Sequence, residues 1–305
     1  MKKIVLAASL LVSGIAVTQA QNDLQYAHFM VNTLTYNPAV AGSTNNLDII
    51  LLGRKQWVGI GQSPLSQTLN AHTYLEKIKG GVGLTLINDK LGYENSLNLK
   101  ASYAYHIKLG KEATLAAGIS VGFLYKSVDQ SKLVFDDQTD QTAQNSLGKE
   151  FKPDVNAGLE FRNKDLVVGL ASTHVPQGVG SATNFKVPRH YFLYAKYYIA
   201  VSKDLDIVPS VLFKSAGFIT QFEGNVNVLY QKKYWVGLTY RNKEAAAGLV
   251  GMQINQKFKI GYAYDFNMGI TKTNHSSGSH ELFVNVILPG FNKKKHSMKT
   301  PRFFN

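Results

Sequence analysis

The stretch LNLKASYAYHIKL, residues 97–109, decides the fold. Leu97, Leu99, Ala101, Tyr103, Tyr105, Ile107 and Leu109 alternate with Asn98, Lys100, Ser102, Ala104, His106 and Lys108, so an extended chain here has one oily and one wet face. Strands of soluble proteins alternate too, but they usually stop at about 5–6 residues. A tilted strand that crosses a bilayer needs about 9–11. Residues 113–125 repeat the pattern, with Leu115, Ala117, Ile119, Val121 and Phe123 set against Thr114, Ala116, Gly118, Ser120 and Gly122. Residues 218–230 and 258–266 do so again. Outward from this centre the chain divides into about fourteen such segments, which predicts an all-β, transmembrane, antiparallel up-and-down β-barrel.

The flanks fit that reading. Outside the extreme N-terminus no apolar run is long enough for a spanning helix, and a closed barrel is the remaining way to cross a bilayer with every backbone group paired. Lys2 and Lys3, the apolar stretch that follows, and Thr18-Gln19-Ala20 have the form of a secretory signal, so cleavage after Ala20 and delivery to the outer membrane are expected. The expected organisation is a signal peptide over residues 1–20, an N-terminal segment over 21–46, the barrel over 47–290 and a basic tail over 291–305. The absence of cysteine excludes disulfides and thiolate metal sites.

Lys and Arg number 33 against 20 Asp and Glu. With both ends of the barrel taken as periplasmic, the short turns after even-numbered strands all carry lysine or arginine, and the long connections after odd-numbered strands face outward. The tail adds Lys293, Lys294, Lys295, Lys299 and Arg302 on the same side as the short turns. A cationic periplasmic rim follows, able to dock an acidic partner or anionic lipid headgroups. Nucleic acid is disfavoured as a partner by compartment, and none is expected.

Several motifs stand in order along the chain: YNPAVAG at 36–42, RKQWVGI at 54–60, PDVNAGLEF at 153–161, VVGLASTHV at 167–175, RHYFLYAKY at 189–197, WVGLTYR at 235–241, GYAYDF at 261–266 and GSHEL at 278–282. With this set the mature chain resembles the PorP/SprF family of type IX secretion outer-membrane proteins of Bacteroidota. The resemblance implies a barrel that assists export of particular cargo proteins or gliding adhesins. It also implies contact with periplasmic components such as a peptidoglycan-binding lipoprotein. The alternative that the same barrel physics supports is a porin or hydrophobic-solute transporter.

Candidate sites are sparse. Pro38 fixes a turn and pushes Asn37 out of the helical region, so Tyr36, Asn37 and Pro38 are expected to belong to a plug or lid in the lumen or at its periplasmic mouth. Asp265 and Glu281, on the last two strands, are candidates to pair with Arg189 or Arg241 in an interior charge network. Trp57 and Trp235 are expected in the interfacial aromatic girdle. Pro209 is expected to bulge or break its strand.

No enzyme is expected. Ser279, His280 and Glu281 with neighbouring His275 are adjacent in sequence, which does not create a triad. Asp136, Asp137 and Asp140 lack the glycine and terminal glutamate of a calcium loop. Gly81-Val82-Gly83 has no following helix to make a dinucleotide site. No cofactor or metal is expected.

Overall fold

Alternation continues strand after strand, and the strands pair in sequence order until the last meets the first. The computed structural model of the chain describes residues 23–129, 149–176, 187–217, 219–242, 244–268 and 276–291. Its strands are β1 (Leu47–Lys55), β2 (Leu65–Leu75), β3 (Gly80–Leu91), β4 (Glu94–Leu109), β5 (Ala113–Val128), β6 (Glu150–Arg162), β7 (Leu166–Thr173), β8 (His190–Tyr197), β9 (Ile199–Ala200), β10 (Leu205–Ser215), β11 (Thr220–Tyr230), β12 (Tyr234–Arg241), β13 (Ala245–Gln253), β14 (Phe258–Asn267) and β15 (Ser279–Leu288). Each pairs antiparallel with its neighbours, and β1 closes on β15 from Leu47 opposite Leu288 to Lys55 opposite His280. β9 continues β8 along the same edge of β10, so the cylinder is a closed barrel of fourteen staves.

Pro209 acts on one side only. Its register with β11 is unbroken, opposite Val226, while pairing toward β8 and β9 lapses between Ser210 and Ile207. A proline has no N–H for that second ladder. The register on either side of the lapse is the same, so the interruption is a missing rung rather than a bulge.

Burial is inverted relative to a soluble protein. Leu51, Leu84, Ile119, Val121, Leu159, Leu170, Leu238 and Leu282 are exposed on the outer wall, whereas Lys100, Glu160, Glu223, Asn227, Arg241, Asp265 and Glu281 are buried within. An apolar exterior with a polar interior is the arrangement that hydrocarbon outside and a wet bore demand. Trp235 departs from the girdle expectation. It shares the inward phase of Thr239 and Arg241, is 2 % exposed, and stacks on Phe283 with ring centroids 6.1 Å apart.

The long connections, 56–64, 129–149, 174–189 and 268–278, all fall at one end of the barrel, which also has the short ones 92–93, 216–219 and 242–244. Those at the other end, including 110–112, 163–165, 231–233 and 254–257, are short.

Candidate functional site

The polar residues on the inner wall are buried because the chain's own N-terminal segment lies among them. Within it Tyr26, Ala27, Phe29, Met30, Leu34, Tyr36, Ala39, Val40 and Ala41 are buried, as are Asn32 and Asn37. Its partners sit on strands all around the cylinder. The Tyr26 hydroxyl is 2.6 Å from Thr68 Oγ1 of β2, and Lys100 Nζ of β4 donates to Thr35 O at 2.8 Å. Thr239 Oγ1 of β12 donates to Ala27 O at 3.2 Å, and Lys214 Nζ of β10 donates to Asp23 O at 2.7 Å. A segment touching β2, β4, β10 and β12 at once occupies the bore. It runs from the long-loop end, where Asp23 meets Thr173 and His174, to the short-turn end, where Tyr74 N donates to Thr44 O at 3.2 Å.

Tyr36, Asn37 and Pro38 lie at the tightest contact. Asn37 Oδ1 accepts from Ala39 N at 2.9 Å and so caps the one-turn 3-10 helix Pro38–Val40, for which Pro38 presets the backbone. Asn37 Nδ2 donates to Leu159 O at 3.1 Å and to the Tyr194 hydroxyl at 2.9 Å, and that hydroxyl in turn donates to Glu160. The wall is pared back to admit this turn. Gly118 of β5 and Gly158 of β6 are ladder partners on the inner face. A Cβ on Gly118 would come within 2.3 Å of Ala39 N, and one on Gly158 within 2.1 Å of Asn37 Oδ1. Gly81 repeats the device on β3, where a Cβ would fall 2.0 Å from Ala41 O. Gly81 therefore serves close packing of backbone on backbone, while a Cβ on Gly83 would meet the Ala41 and Leu34 side chains at 3.3 Å.

Farther along the bore, one carboxylate holds the segment. Glu281 accepts from Ala27 N and His28 N at 2.8 Å each and from His28 Nδ1 at 2.7 Å. Arg54 bridges Glu281 and Asp265 at 3.1 and 2.7 Å, and Arg241 reaches Glu223 at 3.2 Å and Asp265 at 3.5 Å. Asp265, Glu281 and Arg241 thus belong to one buried network, and Arg54 is the member that joins them. Arg189 lies elsewhere: its Nη2 donates to Val175 O at 2.6 Å, because it stands one residue before the inward-facing His190.

A third cluster sits at the long-loop mouth. His174 places Nε2 3.0 Å from Asp23 Oδ1 and Nδ1 2.9 Å from Asp154 Oδ1. Desolvation opposes a charge on His174, but the two flanking carboxylates outweigh it and hold its pKa at about 10. Desolvation likewise works against the Asp23 charge, and His174 and His190 overcome it, leaving the carboxyl well below its ordinary range. Thr173 Oγ1 also donates to Asp23 Oδ2, at 3.0 Å. Beside this cluster is a cavity of about 210 Å³ lined by Leu24, Tyr36, Lys100, Leu124 and Phe192 among others. Nothing in the local sequence around Asp23 marks its partners, which lie about 150 residues away.

Ser279 and His280 occupy opposite faces of β15, as neighbours in a strand must. Ser279 Oγ accepts from Trp57 N at 3.2 Å, and His280 Nδ1 meets the Tyr262 hydroxyl at 2.6 Å. Lys293, Lys294, Lys295, Lys299 and Arg302 lie outside the described residues, as do residues 1–20, His275, Asp136, Asp137 and Asp140.

A closed antiparallel barrel with an apolar outer wall and a polar, occupied bore is an outer-membrane β-barrel protein. Residues 18–286 match the family profile of the type IX secretion system membrane protein PorP/SprF. The chain belongs to that family. Among solved structures it is similar to the TodX deltaS2S3 mutant monoaromatic hydrocarbon channel, at 12 % identity and a TM-score of 0.52, covering 84 % of this chain and 94 % of that one. The CymD monoaromatic hydrocarbon channel gives 11 % identity and a TM-score of 0.52 over 84 % and 91 %. The outer membrane protein Omp33 of Acinetobacter baumannii gives 10 % identity and a TM-score of 0.46 over 80 % and 99 %. Likeness at such identities is one of fold. Comparison with curated proteins gave no match.

Proposed function

We propose that this protein is a non-enzymatic accessory of the type IX secretion and gliding machinery. In this reading signal cleavage after Ala20 delivers the chain to the outer membrane. There the barrel assists export or surface anchoring of specific cargo proteins. Its long outer loops meet the cargo or adhesin. The short-turn rim, extended by Lys293, Lys294, Lys295, Lys299 and Arg302, meets acidic periplasmic components such as a peptidoglycan-binding lipoprotein, alongside outer-membrane lipid. The observation that carries the reading is the N-terminal segment lying among the inner-wall residues of a PorP/SprF barrel, with Pro38 and Ala39 against Gly118 and Asn37 against Gly158. A bore filled by fitted backbone supports a scaffold held closed rather than a passive pore.

Deleting the gene and profiling exported proteins tests this. Loss of a defined subset from the surface and medium, restored by the intact gene, is expected; an unchanged exported set would overturn it. A second reading, a porin or hydrophobic-solute transporter, draws on the fold shared with barrels named as hydrocarbon channels and on the cavity of about 210 Å³ at the mouth. Solute-selective conductance by the intact chain would favour it.

A further inference from the structure

The mouth cluster has a composition that the Glu281 network and the glycines beneath the Asn37 turn lack. Asp23, His174 and His190 each offer a ligand atom, and the three atoms lie within 4.8 Å of one another. We propose that Asp23, His174 and His190 bind a divalent transition cation of the zinc type, which pins the start of the N-terminal segment to the β7 and β8 ends of the wall.

Two imidazoles and one carboxylate form a ligand set used for zinc, and three protein ligands leave further positions for water or another donor. Nitrogen and oxygen donors without thiolate suit zinc, cobalt or nickel rather than a soft cation or calcium. Both rings are oriented from behind. Asp154 Oδ1 accepts from His174 Nδ1 at 2.9 Å, and the Pro188 carbonyl accepts from His190 Nδ1 at 3.1 Å. His174 Nε2 is thereby turned to the Asp23 carboxylate at 3.0 Å, while His190 Nε2 accepts from the Asp23 main-chain N at 3.3 Å and His190 Nδ1 lies 3.7 Å from Asp23 Oδ2, so ligation through His190 Nε2 requires that main-chain N–H to turn aside. An outer carboxylate or carbonyl on the far nitrogen is the arrangement that fixes metal-binding histidines elsewhere.

Charge and space agree. Asp23 and Asp154 bring two carboxylates, and the nearby Lys214 ammonium is engaged by the Asp23 main-chain carbonyl at 2.7 Å. The cavity of about 210 Å³ opens onto the trio and has room for water ligands. When the cation binds, the proton between His174 Nε2 and Asp23 leaves to solvent. Because one ligand comes from the segment and two from the wall, any cation bound here favours the seated segment over a displaced one by linkage. The inference is independent of which cargo the barrel serves.

The test uses the untagged full chain, purified in detergent and stripped with chelator. Zn²⁺ titration by calorimetry should show one site per chain. Asp23→Asn, His174→Gln and His190→Gln should each weaken it at least tenfold, and Asp154→Asn roughly tenfold through the outer sphere. Retained heat-modifiable gel mobility identifies variants that still fold. Co²⁺ added to the wild type should give the visible absorption of a site of low coordination number, a readout needing no variant. Absence of Zn²⁺ binding and of that spectrum, or undiminished binding in any folded variant of the trio, would overturn the proposal.

Discussion

Arg54 of β1 and Glu281 of β15 are ladder partners across the seam where the barrel closes, and their side chains meet at 3.1 Å inside it. The same Glu281 carboxylate holds Ala27 and His28 of the N-terminal segment, so closure of the wall and retention of the segment share one group. Glu281→Ala leaves Arg54 buried with Asp265 as its remaining acidic partner in the network. Breaking a buried pair from one side costs about 3–5 kcal/mol. The midpoint of heat-modifiable mobility should fall accordingly. Glu94→Gln, which breaks the more exposed pair with Lys126, should shift it little, as expected for a surface pair worth about 0–1 kcal/mol.

The glycine seat predicts a steric route to an open bore. Gly118→Ala sets a methyl against Ala39 N and the Pro38 carbonyl carbon, so the turn must move. Ion conductance in planar bilayers should rise above wild type. Gly53→Ala, on the outer wall with open space where its Cβ would stand, should conduct as wild type does.

A covalent tether should have the opposite effect. Asn70 Nδ2 donates to Thr35 Oγ1 at 2.8 Å, and the chain has no cysteine of its own. Thr35→Cys with Asn70→Cys should form a disulfide under oxidation, read as a gel shift reversed by reductant. Combined with Gly118→Ala, oxidation should lower the conductance that the glycine change raised.

Chain direction is also testable. The segment enters β1 at the short-turn end and has Leu24 at the long-loop end, where that residue lines the mouth cavity. On intact cells a membrane-impermeant maleimide should label Leu24→Cys. It should label Ser43→Cys only after the outer membrane is permeabilised.

Much of this was legible by counting in twos. The wet phase of residues 97–109 places Asn98, Lys100 and Ser102 inside, and all three are buried there. The same count from Arg241 puts Trp235 inside, against the girdle reading, which weighed its position near a strand end over its phase. Arg189 misled for a related reason: the strand begins at His190, so the arginine belongs to the other phase and reaches a loop carbonyl. Asp265, Glu281 and Arg241 could be named from sequence, but Arg54, which joins them, meets Glu281 from 227 residues away in the chain. Contacts of Asp23 with His174 and His190 arise because the segment doubles back through the bore, and no periodicity encodes that path.

The most direct measurement is single-channel conductance of the purified barrel with and without residues 21–41. Steady ion flow through the shortened chain and little through the intact one is the predicted result. Equal conductance from the two, with both verified as folded barrels, would contradict a bore closed by its own N-terminal segment.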